Sequence, residues 1–163
     1  MKIETRMFGA VEVGESTPYL KQVIQINGQP QNCGLYIADE FSEHASHCLK
    51  IAELIDDLDA IDTKARKILH QKLQDENTLV VDYLDYHVEE VANEIKDKLQ
   101  VSNIDQNLLL QSLDLRAIGF HLEEADHSIN LCLDYCPGEE FSDQLLVVKF
   151  RENGDLIEVA HES

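Results

Sequence analysis

The segment Tyr19-Leu20-Lys21-Gln22-Val23-Ile24-Gln25-Ile26-Asn27-Gly28 reads as the first arm and the turn of a β-hairpin. Val23, Ile24 and Ile26 are β-branched, and the run has no helical period, which is the composition of a strand. Asn27 and Gly28 both tolerate φ > 0, the geometry of a two-residue turn whose twist matches the strands on either side. Gln31 to Ile37 supplies the return strand. Upstream, from Lys2, the chain reads as further extended segments punctuated at Gly9 and at Gly14-Glu15-Ser16.

Beyond residue 41 the hydrophobic period changes from two to between three and four. Ser42 is placed to cap a helix, and Ala45, Cys48, Leu49, Ala52, Ile55 and Leu58 follow as one apolar stripe. Ile61, Ala65, Ile68, Leu69 and Leu73 form a second stripe, which predicts a helix pair joined near Asp59 to Asp62. Val81, Leu84, Val88, Val91, Ile95 and Leu99 predict a third helix of about five turns. A short helix follows Asp105 and ends near Leu113.

Strand patterning then returns at Leu115 to Glu123, Ile129 to Tyr135 and Leu145 to Phe150. The last of these pairs with Leu156 to His161 through the turn Glu152-Asn153-Gly154-Asp155, after a break at Pro137-Gly138. Strands, helices and strands are thus segregated along the chain. That order predicts an α+β fold, with N-terminal antiparallel strands, a central three-helix segment and C-terminal antiparallel strands ending in a hairpin. A single domain is expected, strand-rich over 1–41, helical over 42–113 and strand-rich over 114–163.

The 163 residues include 32 Asp and Glu against 13 Lys and Arg, a formal net charge of −19. With 44% hydrophobic and 28% charged residues the composition is that of a folded protein, so the acidity belongs to a folded surface. Such a surface repels nucleic acid and anionic membrane and favours a cationic protein partner, a metal ion or no partner at all. Residues 1–41 carry −2, residues 42–100 carry −7 and residues 101–163 carry −10. No apolar run marks a signal segment or a membrane span, so a cytoplasmic location is expected. Cys33, Cys48, Cys132 and Cys136 read as reduced thiols, since Cys132 and Cys136 on one strand stand roughly 13 Å apart, too far for a bridge.

Two acidic stretches lack any cation in sequence, Lys72 to Lys96 and Ala117 to Val148. On the third helix Asp82, Asp85 and Glu89 share a face near Tyr83 and Tyr86, which suits a protein interface steered by charge and anchored by tyrosine. Glu123, Glu124 and Asp126 form a second candidate surface at a strand end. A solvated face or turn accounts for each group as well. His44, His47 and Cys48 on one segment, and His121, Glu123 and His127 on another, carry the donor types of a metal or acid/base site. A buried thiol beside two partly exposed histidines is the better account of the first set, since Cys48 belongs to the apolar stripe and no second pair with matching spacing occurs. No phosphate loop, nucleophile elbow, paired C-x-x-C or cofactor fingerprint occurs, so neither catalytic residues nor a cofactor are assigned.

Ser142-Asp143-Gln144-Leu145-Leu146-Val147-Val148-Lys149-Phe150, with Glu152-Asn153-Gly154 and Ile157 to Ser163, resembles the C-terminal part of a bacterial family of unknown function. Val81 to Glu90 and Leu115 to Phe120 share the resemblance, which covers most of the chain beyond residue 78. It implies an uncharacterised bacterial protein with no catalytic residues to carry over. Related small acidic α+β domains are sometimes encoded beside toxins and serve there as immunity partners, a role the resemblance implies by analogy. The expectation is therefore a non-enzymatic acidic interaction protein, an immunity or inhibitor protein for a basic partner. A metal-dependent or hydrolytic enzyme and a structural subunit of a homo-oligomer are the alternatives.

Overall fold

The structure, a computed structural model, describes residues 1–14 and 19–163. The turn signal at Glu15-Ser16 lies outside the described residues. The order is mixed α+β, as the segregated patterning predicts. Strands β1 (Lys2–Thr5) and β2 (Gly9–Glu12) pair antiparallel as a small separate hairpin. Strands β3 (Leu20–Ile26) and β4 (Gln29–Ile37) form the second hairpin, with Asn27 at φ 50° and Gly28 at φ 76° in its turn. Both turn residues take the left-handed conformation that Asn-Gly accepts at low cost.

A 3-10 turn, Asp39–Glu43, leads into five helices: α1 (Ala45–Asp56), α2 (Leu58–Gln74), α3 (Thr78–Glu90), α4 (Ala92–Leu99) and α5 (Gln106–Ser112). Three boundaries differ from the sequence reading. Ser42 belongs to the 3-10 turn and does not cap α1, whose N-cap is His44. The joint between α1 and α2 is Asp57, earlier than Asp59 to Asp62. The third helix is two helices, because Val91 leaves the helical region at φ −128°, ψ 28°. Apolar spacing continues through Val91 because α3 and α4 turn the same side inward.

Strands β5 (Asp114–Leu122), β6 (Ile129–Cys136), β7 (Leu145–Arg151) and β8 (Leu156–Glu162) complete a six-stranded sheet in the order β3-β4-β5-β6-β7-β8. Every pair is antiparallel except β4 with β5, whose parallel register runs from Gly34↔Ala117 to Ile37↔Phe120. That parallel joint unites the two strand-rich regions, a connection the local pattern does not announce. A parallel pair needs a crossover, and all five helices lie in it.

One face of the sheet carries Ile24, Ile37, Ile118, Phe120, Leu133, Tyr135, Leu146, Val148 and Phe150 into a core shared with the helices. Helix α2 contributes Leu58, Ala65, Leu69 and Leu73, and each leucine buried in full stabilises the fold by about 2 kcal/mol. Its stripe is offset from the expected one, for Asp62 is buried and Ile61 only half-buried. Asp62 accepts hydrogen bonds from the Tyr135 hydroxyl at 2.6 Å and from Arg66 Nε at 3.1 Å. Arg66 also donates to the Leu113 carbonyl at 2.8 Å and lies over the Tyr135 ring. A buried carboxylate is tolerated here because its acceptors are met by a cation and a hydroxyl.

Candidate functional site

On α3 the acidic positions remain at the surface while the tyrosines divide. Asp82 and Glu89 are exposed, and Asp85 is half-buried and accepts from Gln106 Nε2 at 2.6 Å. Tyr86 keeps 49% of its surface, but Tyr83 has none. Tyr83 donates its hydroxyl to the Gln144 carbonyl at 2.8 Å, and burial drives its pKa well up. The expectation that Tyr83 anchors a partner is therefore corrected. The buried stripe is Val80, Tyr83, Leu84 and His87, rotated from the predicted Val81, Leu84, Val88, and Tyr83 lies in it.

Beside Tyr83, His87 is also fully buried. Its Nδ1 lies 2.8 Å from the Tyr83 carbonyl, an atom that can only accept, so Nδ1 carries the proton. Nε2 is then free to accept from Ser142 Oγ at 2.7 Å. Burial lowers the His87 pKa, which favours this neutral form, and Ser142 Oγ in turn accepts from the Gln144 amide at 3.2 Å. The arrangement fastens the segment before β7 to α3.

The second candidate group sits in the turn between β5 and β6. Glu123 accepts from Asn130 Nδ2 at 3.1 Å, and Asp126 accepts from Ser128 Oγ at 2.6 Å with Arg151 3.7 Å away. The hydrogen bonds from Ser128, with Arg151 adding, lower the Asp126 pKa. Glu124 is exposed. Asp126 serves the turn itself, and Glu123 lines a concave surface on the sheet.

The histidine sets do not assemble. His47 and His127 meet, but through His47 Nε2 and the His127 carbonyl at 2.7 Å, and the Cys48 thiol donates to the Phe41 carbonyl at 3.1 Å. His44 approaches His47 ring to ring at 5.3 Å. His121 stands apart, stacked against Tyr36. Among the described residues no three His, Cys, Asp or Glu side chains gather so as to hold a metal ion. The four cysteines are free, and burial pushes Cys33 up to about 12 and Cys132 and Cys136 up to about 11, so none is a ready thiolate.

The open face of the six-stranded sheet holds the larger feature, a trough of ≈ 830 Å³. Strand alternation builds it: Leu131, Leu133 and Tyr135 of β6 enter the core, so Asn130, Cys132 and Asp134 point the other way. Small residues at Ala117 and Gly119 keep its floor low. A bulge between Leu115 and Ala117 inserts Arg116 at its margin, and the regular register of β7 with β8 sets Lys149 opposite Glu158 before it shifts at Phe150. Bulges of this kind re-aim side chains beside functional surfaces. Tyr19 lies over Gly34, where any Cβ would collide with its ring, so the absence of a side chain at Gly34 seats Tyr19 against the sheet.

The electrostatics of the trough centre on Asp134. Its pKa is raised to about 6, first by desolvation, then by the Glu162 carboxylate, while Arg116 and Lys149 pull it down. Lys149 is engaged by Glu158 at 3.1 Å and Glu162 at 3.0 Å, and Arg116 has Glu139 at 3.7 Å. Desolvation and then Lys149 lower the His121 pKa. His121 and Glu123, singled out in the sequence, line this trough. Asp134, Arg116, Lys149, Tyr19 and Tyr36 were not singled out, and the one available signal was the polar parity of Asn130, Cys132 and Asp134 within an apolar strand. No helix of the described residues is long and apolar enough to cross a membrane. Comparisons with protein-family models, with curated proteins and with solved structures find no match.

Proposed function

We propose that this chain is a non-enzymatic binding protein for a basic protein, acting as an inhibitor or immunity partner. One observation carries the reading. Asp82, Glu89, Glu90 and Glu94 on α3 and α4 are all exposed and make no ion pair among the described residues, next to the exposed ring of Tyr86. Uncompensated charge of one sign on one side raises the encounter rate with a partner of opposite sign. The resemblance to small acidic bacterial proteins, of the kind encoded beside toxins, agrees with this role, as does the formal charge of −19.

Affinity capture from native bacterial lysate, at low and then high salt, tests it. A basic protein should bind and be released by salt. The combined substitution Asp82→Lys, Glu89→Lys and Glu90→Lys should slow its association by about tenfold or more and flatten the salt dependence. Recovery of no basic protein, or an on-rate indifferent to both salt and charge reversal, removes the reading.

A further inference from the structure

A field brings a partner close but does not hold it, whereas a fixed contact needs a concave surface with directional groups. The open sheet face supplies one. Five carboxylates line the trough, Glu123, Asp134, Asp143, Glu158 and Glu162, against two cations, Arg116 and Lys149. Both cations already face carboxylates, at Glu139 for Arg116 and at Glu158 and Glu162 for Lys149. The trough is therefore acidic in balance.

Among the described residues two acceptors that line it lack partners. Among the described residues Asp134 makes no hydrogen bond and no ion pair, although it stands in a partly desolvated face. Asn130 gives its amide N–H to Glu123, and its own Oδ1 is buried with no donor. At the rim the rings of Tyr19 and Tyr36 keep 53% and 45% of their surface. An unmet carboxylate, Asp134, beside exposed aromatic rings describes a receptor for a planar cation with several N–H groups.

We propose that the trough binds an arginine-bearing segment of a protein partner, with the guanidinium received by Asp134 and faced by the tyrosine rings of the rim. Arginine fits better than lysine because its fork serves both oxygens of one carboxylate at once and its plane lies against a ring. The volume accommodates several residues of chain around that side chain. This inference rests on the reading that the protein binds a basic partner. It assigns the holding contact to the sheet and leaves the steering field to the α3 side.

The probe is acetyl-Gly-Arg-Gly-amide, followed by amide chemical shifts at neutral pH and physiological ionic strength, with the Lys and Glu analogues as controls. Saturable shifts should be confined to the open face of β4 to β7, with the Arg peptide about threefold or more tighter than the Lys peptide and the Glu peptide silent. Asp134→Asn should weaken binding by about tenfold, Tyr36→Ala by about threefold, and the triple charge reversal on α3 by less than about twofold. No saturable shift, shifts centred on α3, or unchanged affinity in Asp134→Asn overturns the proposal. A captured basic protein whose affinity ignores both trough variants removes the trough and leaves the steering reading. Peptide binding at the trough with no basic protein captured does the reverse.

Discussion

Replacing Asp134 with Asn should make this protein more stable at neutral pH. The carboxyl titrates at about 6 in the fold against a usual value of 3.8. A carboxyl raised by folding binds its proton more tightly in the native state than in the unfolded chain. Its charged form therefore weakens the fold once the pH passes the native value, and the penalty fades as pH falls to the unfolded one. Each pH unit between the two values is worth 1.36 kcal/mol, which sets a ceiling of about 3 kcal/mol. Solvent at the open face screens this to about 2 kcal/mol. Glu162 on β8 and Cys132 on β6 also face the group, and the Glu162 carboxylate adds to the rise in its pKa. Urea unfolding of both proteins between about pH 4 and 8 isolates the effect, because the other carboxylates cancel in the difference. The variant's advantage should be near zero at the acid end and climb to its plateau above about pH 7. A difference that stays flat with pH, or a variant less stable at neutral pH, refutes the argument that Asp134 is held charged at a cost.

Two further outcomes follow from the buried polar groups. Asp62→Ala leaves the Tyr135 hydroxyl and the Arg66 guanidinium without their shared acceptor, and should destabilise the protein by about 3 kcal/mol in urea unfolding. Asp62→Asn, which keeps an acceptor, should cost less. His87 has a lowered pKa in the fold, so its contribution is complete above the unfolded value near 6.5 and is lost as pH falls below it. Hydrogen-exchange protection in the segment from Ser142 to Gln144 should drop between about pH 7 and 5.5, and Ser142→Ala should remove most of that pH dependence.

The hairpin at Asn27-Gly28, the short helix after Asp105 and the C-terminal strands are all legible in the chain because their signals are local. A turn chemistry, a cap or an alternation states itself within a few residues. Asp105 does accept from the Leu108 amide at 2.8 Å, as a cap should. The break at Val91 is silent for the opposite reason. No glycine or proline marks it, and a bend that keeps the same face inward preserves the apolar period. Tyr83 is buried because α3 packs against α2, α4, α5 and β8, which turns its inward stripe away from the one the apolar spacing predicts.

The trough was only half legible. Parity shows that Cys132 and Asp134 share a face with His121 and its neighbours once β5 and β6 pair, and His121 with Glu123 was readable on one strand. Which residues of β3, β4, β7 and β8 join them depends on strand order, and strand order is not a property of any local window. The bulge that places Arg116 at the margin also follows from pairing, not from composition.

The parallel joint between β4 and β5 has its own consequence for how this chain accommodates change in length. Its partners, Gly34 to Ile37 and Ala117 to Phe120, lie on either side of the whole helical excursion. Closing a longer excursion costs only about 0.6 kcal/mol for each doubling of its length. The helical layer can therefore be extended or trimmed at its exposed connections while the hydrogen-bond ladder beneath it, and every side chain that ladder aims outward, keeps its place.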